Sequence, residues 1–97
     1  MIDKRAYYII RTYSAGVFAG NIENLEGKTA ILKNVRRLWY WSGANSLSDL
    51  AYKGTEKPHD CKFTKPLEEI IVTEVIEILK CTKKAEKSIK EVREWSY

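Results

Sequence analysis

The sequence predicts an α+β fold: a small, twisted, mainly antiparallel β-sheet or partly open barrel of five or six strands, with two short helices. Three observations carry this expectation. Tyr, Ile, Val, Thr and Trp are dense from Arg5 to Trp41 and again from Glu69 to Lys80, the composition of strands. Small or glycine-bearing tetrapeptides, Tyr13-Ser14-Ala15-Gly16 and Leu25-Glu26-Gly27-Lys28, separate those runs at hairpin spacing. Two further segments open on a hydroxyl residue suited to capping a helix, Ser46 and Thr82.

The elements follow in order. Arg5 to Tyr13 reads as a first strand and Val17 to Asn24 as its hairpin partner. Thr29 to Lys33 and Val35 to Trp41 continue the meander, with Asn34 as a bulge or bend between them. Ser46 caps a short helix in which Leu47, Leu50 and Ala51 share a face, Asp49 lies in the first turn, and Gly54 takes the stop position. Thr55 to Cys61, holding Pro58, is an irregular loop. Lys62-Phe63-Thr64 adds an edge strand before Pro66, and Glu69 to Lys80 reads as one long strand with apolar residues on both faces. Thr82 starts a last helix through about Glu91, with Ala85, Ile89 and Val92 inward and Lys83, Lys84, Lys87 and Lys90 outward.

Ninety-seven residues suit a single domain, 1–97, whose folding buries roughly 60 to 65% of the chain's surface, so self-association would add stability. Eleven aromatics, the two-faced strand and a terminal Trp95-Ser96-Tyr97 point to a homo-oligomer. No run of about 18 uncharged apolar residues could cross a bilayer, and Met1 to Ala6 lacks an apolar leader, which predicts a cytoplasmic protein. Seventeen Lys and Arg against thirteen Asp and Glu leave +4, which without clustering argues against long nucleic acid as the partner. Cys61 and Cys81, with His59, cannot complete a four-ligand zinc site within one chain, so free thiols, no metal and no cofactor are expected, with a disulfide or a metal shared between subunits as the alternatives.

The most informative run is Arg36 to Leu47, R-R-L-W-Y-W-S-G-A-N-S-L. It sets two guanidinium groups and three large aromatics before a glycine turn and a helix start. Guanidinium forks suit phosphate, indole and phenol faces stack on bases, and free backbone N–H groups at a helix start attract anions. In an extended strand Arg37, Trp39 and Trp41 share one face, and Arg36, Leu38 and Tyr40 the other. Arg11 and Tyr13 share a face of the first strand, beside Ser14 in a turn of small residues. The run lacks the phosphate-loop string G-x-x-x-x-G-K-[ST], so nucleotide hydrolysis is not implied. His59-Asp60 has no nucleophile placed beside it by a motif, and Glu68, Glu69, Glu74 and Glu77 read as solvated strand positions, so no catalytic set is expected.

Four segments resemble a family of short phage and prophage proteins of uncharacterised function. They are Arg11 to Gly20 (R-T-Y-S-A-G-V-F-A-G), Arg36 to Gly54 (R-R-L-W-Y-W-S-G-A-N-S-L-S-D-L-A-Y-K-G), Cys61-Lys62-Phe63, and Ile76 to Thr82 (I-E-I-L-K-C-T). The resemblance spans nearly the whole chain. It implies a phage accessory protein and no chemistry of its own; such proteins often disarm host defence. Joined to the residue chemistry, it yields the expectation of a non-enzymatic anti-defence binder that sequesters a small anionic nucleotide-type immune signal. Arg11, Arg36 and Arg37 would meet phosphate, Tyr13, Trp39, Tyr40 and Trp41 would stack on bases, and Ser14, Ser42, Gly43 and Ser46 would complete the site. The alternatives are an interaction module that blocks a host protein, using the same side chains as hot spots, and a single-stranded nucleic-acid binder.

Overall fold

Hairpin-forming segments at the N-terminus build most of the sheet. The computed structural model describes residues 2–95, so Ser96 and Tyr97, counted above among the surplus apolar surface, lie outside the described residues. Strands β1 (Tyr8–Thr12), β2 (Val17–Glu26) and β3 (Thr29–Tyr40) form the meander. Helix α1 (Leu47–Lys53), a 3₁₀ turn at Pro58–Asp60 and the short β4 (Lys62–Phe63) follow. Strands β5 (Leu67–Val72) and β6 (Val75–Lys80) and helix α2 (Lys83–Glu91) complete the fold. All strand pairs are antiparallel, in the order β4-β3-β2-β1-β6, with β5 also paired to β3 beside β4.

The long strand expected from Glu69 to Lys80 is two strands that lie on opposite edges of the sheet: β5 pairs with β3, and β6 with β1. Only Thr73 and Glu74 join them. Three Cα steps span at most about 11 Å, so the sheet must curl until its edges approach each other at this corner. Backbone bonds hold it, from Tyr13 N–H to Glu74 O at 2.9 Å and from Val75 N–H to Lys28 O at 3.0 Å. The sheet is curled but not closed.

Asn34 does form the bulge, with φ of 48°. Asn21 pairs with Lys33 and Ala19 with Arg36, so Asn34 and Val35 together oppose Gly20. A methyl group on Gly20 would lie 2.9 Å from Lys33 O and the Val35 Cα, so the bulge requires glycine there. The extra residue switches the phase of β3. Ala30 and Leu32 face the concave side before it, Val35 after it, which turns Arg36 and Leu38 outward.

Two cores result because β1 is covered on both faces. The concave core gathers Tyr8, Ile10, Phe18, Ile22, Leu32, Val72 and Val75. The convex core packs Tyr7, Ile9, Leu38 and Phe63 against Leu50 and Ala51 of α1 and Ile89 of α2. Both helices start as expected: Ser46 Oγ accepts from Asp49 N–H at 3.1 Å, and Thr82 Oγ1 from Ala85 N–H at 3.0 Å. Gly54 ends α1 at φ 79° and donates to Leu50 O. No helix among the described residues is long and apolar enough to cross a membrane.

Cys61 and Cys81 are free. Burial, reinforced by the Glu86 carboxylate, pushes the Cys81 thiol from 9.0 up to about 12, and burial raises the Tyr7 phenol above its ordinary 10.0. Above pH 9 the unfolded chain loses the thiol proton while the folded chain keeps it. The folded state then binds more protons, so stability falls as pH rises. Thermal melts should show the melting temperature dropping from pH 9 towards pH 12, more steeply once Tyr7 contributes above pH 10. Cys81→Ala should flatten the first part of that fall.

Candidate aromatic binding surface

The structure divides the expected site residues into a structural group and an exposed group. Arg36 leads the first. It is 2% exposed, corrected from an anion-binding or surface residue to a buried staple. Its Nε donates to Thr64 O at 2.9 Å, Nη1 to Ile89 O and Val92 O at 3.0 Å each, and Nη2 to Phe63 O at 3.2 Å. The guanidinium carbon sits 5.6 Å from the centre of the Phe63 ring. Four carbonyls hold this cation, and a phosphate could reach it only by displacing them. Burial lowers its pKa, while Tyr7 and Glu94 oppose the shift.

The glycine turn and helix start are also engaged within the fold. Ser42 O accepts from the Thr55 hydroxyl, and Gly43 O from Glu56 N–H at 3.3 Å. A methyl on Gly43, at φ 84°, would meet Lys57 N at 2.6 Å and Glu56 N at 2.7 Å. Ser46 Oγ is occupied as the cap of α1, and the Asp49 carboxylate accepts from Asn45 N–H at 3.1 Å. A negative charge thus stands where an anion was expected to dock. Trp41 is half-buried and packs against the convex core.

Arg11 and Ser14 face carboxylates as well. Arg11 Nε donates to Glu77 Oε1 at 2.9 Å, and the Ser14 hydroxyl bonds Glu74. Tyr13 is 79% exposed at the turn that leads into β2. The register pairs Phe18, near the start of β2, with Arg37, so this turn and the end of β3 lie towards the same end of the sheet.

That end carries the exposed group. Trp39 is 63% and Tyr40 53% exposed. Trp39 stacks on Trp95, with ring centres 6.4 Å apart and planes 8° from parallel. Trp95 is held there because its backbone N–H donates to Phe63 O at 2.9 Å, and Glu94 bridges Phe63 in parallel. Lys62 Nζ lies 5.5 Å from the centre of the Trp95 ring. Tyr40, Lys62 and Trp95, with Ser42, His59, Asp60 and Cys61, line a shallow cleft of about 400 Å³. Arg37 is half-buried, its guanidinium carbon 4.8 Å from the centre of the Phe18 ring, and its buried Nε has no hydrogen-bond partner among the described residues. Unpaired buried donors are rare in folded proteins.

Sequence reading missed Lys62 and Trp95 as members of this surface. Lys62 stands next to Tyr40 across the β3–β4 pair, a neighbour relation that local sequence does not contain. Among the described residues, no three His, Cys, Asp or Glu side chains converge as a metal site would require.

Comparison with known proteins yields one family. A family model described as a domain of unknown function, DUF6948, matches residues 5–89. No curated protein and no solved structure matches the chain. The matched span includes every strand and nearly all of α2, and on that coverage the chain belongs to the DUF6948 family.

Proposed function

We propose that this protein is a non-enzymatic binding module whose Trp39–Trp95 shelf takes a flat, negatively charged ligand of nucleotide type. The carrying observation is the near-parallel indole pair, with Trp39 open to solvent and Lys62 placed over Trp95. A base can extend such a stack, for about 1–3 kcal/mol per base. Lys62 and the half-buried Arg37 guanidinium then supply charge for phosphate. Arg36, Gly43 and Ser46 leave the ligand set, because their polar groups maintain the fold, whereas Ser42 lines the cleft beside the shelf and stays in it. In this reading the protein is a phage accessory factor that works in the host cytoplasm and sequesters an immune signal without turning it over. The shelf is open, and a second copy of the chain would enclose the ligand. Ile71 and Ile76, 56% and 46% exposed on edge strands β5 and β6, favour such an assembly.

Thermal-shift and tryptophan-fluorescence titrations with cyclic di- and trinucleotides, ADP-ribose derivatives and short oligonucleotides test the proposal. A true ligand raises the melting temperature by mass action and quenches the exposed indole. Trp39→Ala and Arg37→Ala should each weaken binding by about 2 kcal/mol, roughly thirtyfold. Because Trp39 is largely exposed, its loss should leave the circular dichroism spectrum unchanged. Ligand recovered after long incubation should be chemically intact, and light scattering should give a multiple of 11.3 kDa. Full affinity in folded Trp39→Ala would remove the shelf from the site, and product in more than stoichiometric yield would make the protein an enzyme.

The exposed Tyr13, Trp39 and Tyr40 side chains also favour a second reading, a hot-spot face that blocks a host protein. Absence of any nucleotide-dependent shift would select it.

A further inference from the structure

A second concavity lies apart from the aromatic shelf. It lies at the mouth of the curled sheet, has a volume of about 690 Å³, and is walled by Ile2, Tyr8, Leu25 and Ile78. Its wall on β2, Glu23 to Leu25, begins five residues beyond Phe18, roughly 16 Å along the strand from the partner of Arg37. The two surfaces can therefore be tested separately.

We propose that this cleft binds a small amphipathic anion, an apolar body carrying one carboxylate or sulfonate-like head. Its floor is continuous with the concave core, since Tyr8 belongs to that core and Ile2, Leu25 and Ile78 pack against it. Apolar surface of this kind takes an apolar body without displacing any internal hydrogen bond. The volume falls within the usual 300–1,000 Å³ of small-ligand sites, and the mouth of a barrel-like sheet is one of their usual places.

The polar groups at the rim select the head. Lys80 lines the cleft and forms no ion pair among the described residues. Lys4 also lines it and meets Glu23 at 3.4 Å, so the two ammonium groups outnumber the one carboxylate. The Tyr8 hydroxyl accepts from Asp3 N–H at 3.0 Å, and its own proton has no acceptor among the described residues. The Asn24 amide, also at the cleft, has no side-chain hydrogen-bond partner among the described residues. An unpaired ammonium, a free phenol proton and a free amide beside apolar walls match an anionic head and repel a cationic one.

The test uses 8-anilinonaphthalene-1-sulfonate as probe on the Trp39→Ala protein, which lacks the shelf indole, and N-phenyl-1-naphthylamine as the same ring system without the sulfonate. We expect one saturable sulfonate site per chain, displaced by decanoate. Lys80→Glu should weaken the sulfonate probe at least tenfold and Lys80→Met severalfold, while both change the neutral probe less than threefold. Lys80 is exposed, so both variants should melt as the parent does, and a variant of Leu25, Leu25→Gln, should weaken both probes together. Non-saturable binding, binding indifferent to Lys80→Glu, or failure of decanoate to compete would overturn the proposal. So would probe binding that dissociates an oligomer in sedimentation runs, because a second copy would then be the natural occupant.

Discussion

Arg36→Ala should cost about 4 kcal/mol or more in urea denaturation, close to half the stability usual for a chain of this size. The guanidinium makes four charge-assisted bonds, to Phe63, Thr64, Ile89 and Val92 carbonyls. Alanine removes all of them at once and leaves the carbonyls facing a cavity beside the Phe63 ring. Two of these acceptors belong to the end of α2, where unpaired carbonyls and the helix dipole favour a cation. Lysine keeps the charge and loses the planar fork, so Arg36→Lys should recover only part of the loss. The loss should also free Trp95, because Phe63 O accepts both from Arg36 Nη2 and from Trp95 N–H. A red-shifted, more quenchable tryptophan emission in the still-folded fraction would report that release. Wild-type stability in Arg36→Met would show that the carbonyls find water, and that the guanidinium is dispensable.

Gly54→Ala should cost about 3 kcal/mol, through two separable effects. At φ 79° and ψ −160°, a conformation essentially reserved for glycine, a side chain costs about 1–3 kcal/mol. A methyl group there would also overlap the Ser88 side chain of α2, forcing the two helices apart over the convex core. Overpacking of this kind costs about 1–3 kcal/mol. Ser88→Gly removes the obstacle, together with the bond that Ser88 Oγ accepts from Thr55 N–H at 3.0 Å. In a double-mutant cycle, Gly54→Ala should therefore be less damaging in the Ser88→Gly background by about 1–2 kcal/mol. Strict additivity would mean that the helices move apart without cost.

Local chemistry made much of the fold legible. Ser46, Thr82 and Gly54 announce helix ends through their own side chains or lack of one, and the Asn34 bulge follows from its place between two extended runs. The split of the long strand was not legible, because Thr73 is β-branched like its neighbours and neither it nor Glu74 is a Gly, Pro, Asn or Asp that would signal a turn. What breaks the strand is a distant demand, the separate partners β3 and β1. The site was legible in its aromatics and not in its cations. Alternation set Arg36 and Arg37 on opposite faces, but only β4 and the end of α2 decide that the outward one is entombed. Lys62 and Trp95 reach the shelf by strand pairing and a parallel bridge, contacts between residues far apart along the chain.

The corner at Thr73 and Glu74 also governs the order in which the protein can form. Strand β1 is synthesised well before β6, yet β6 is one of its two sheet neighbours, and Arg11 meets Glu77 across a separation of 66 residues. Closing a loop of that length is an entropic cost met before its contacts give any return. The meander of the first forty residues would stand with the concave core open until β5 and β6 arrive, and Arg36 would wait for α2. Stopped-flow refolding should therefore show one cooperative phase in the millisecond-to-second range typical of non-local β topologies, and a chain truncated before α2 should aggregate through its uncovered sheet face.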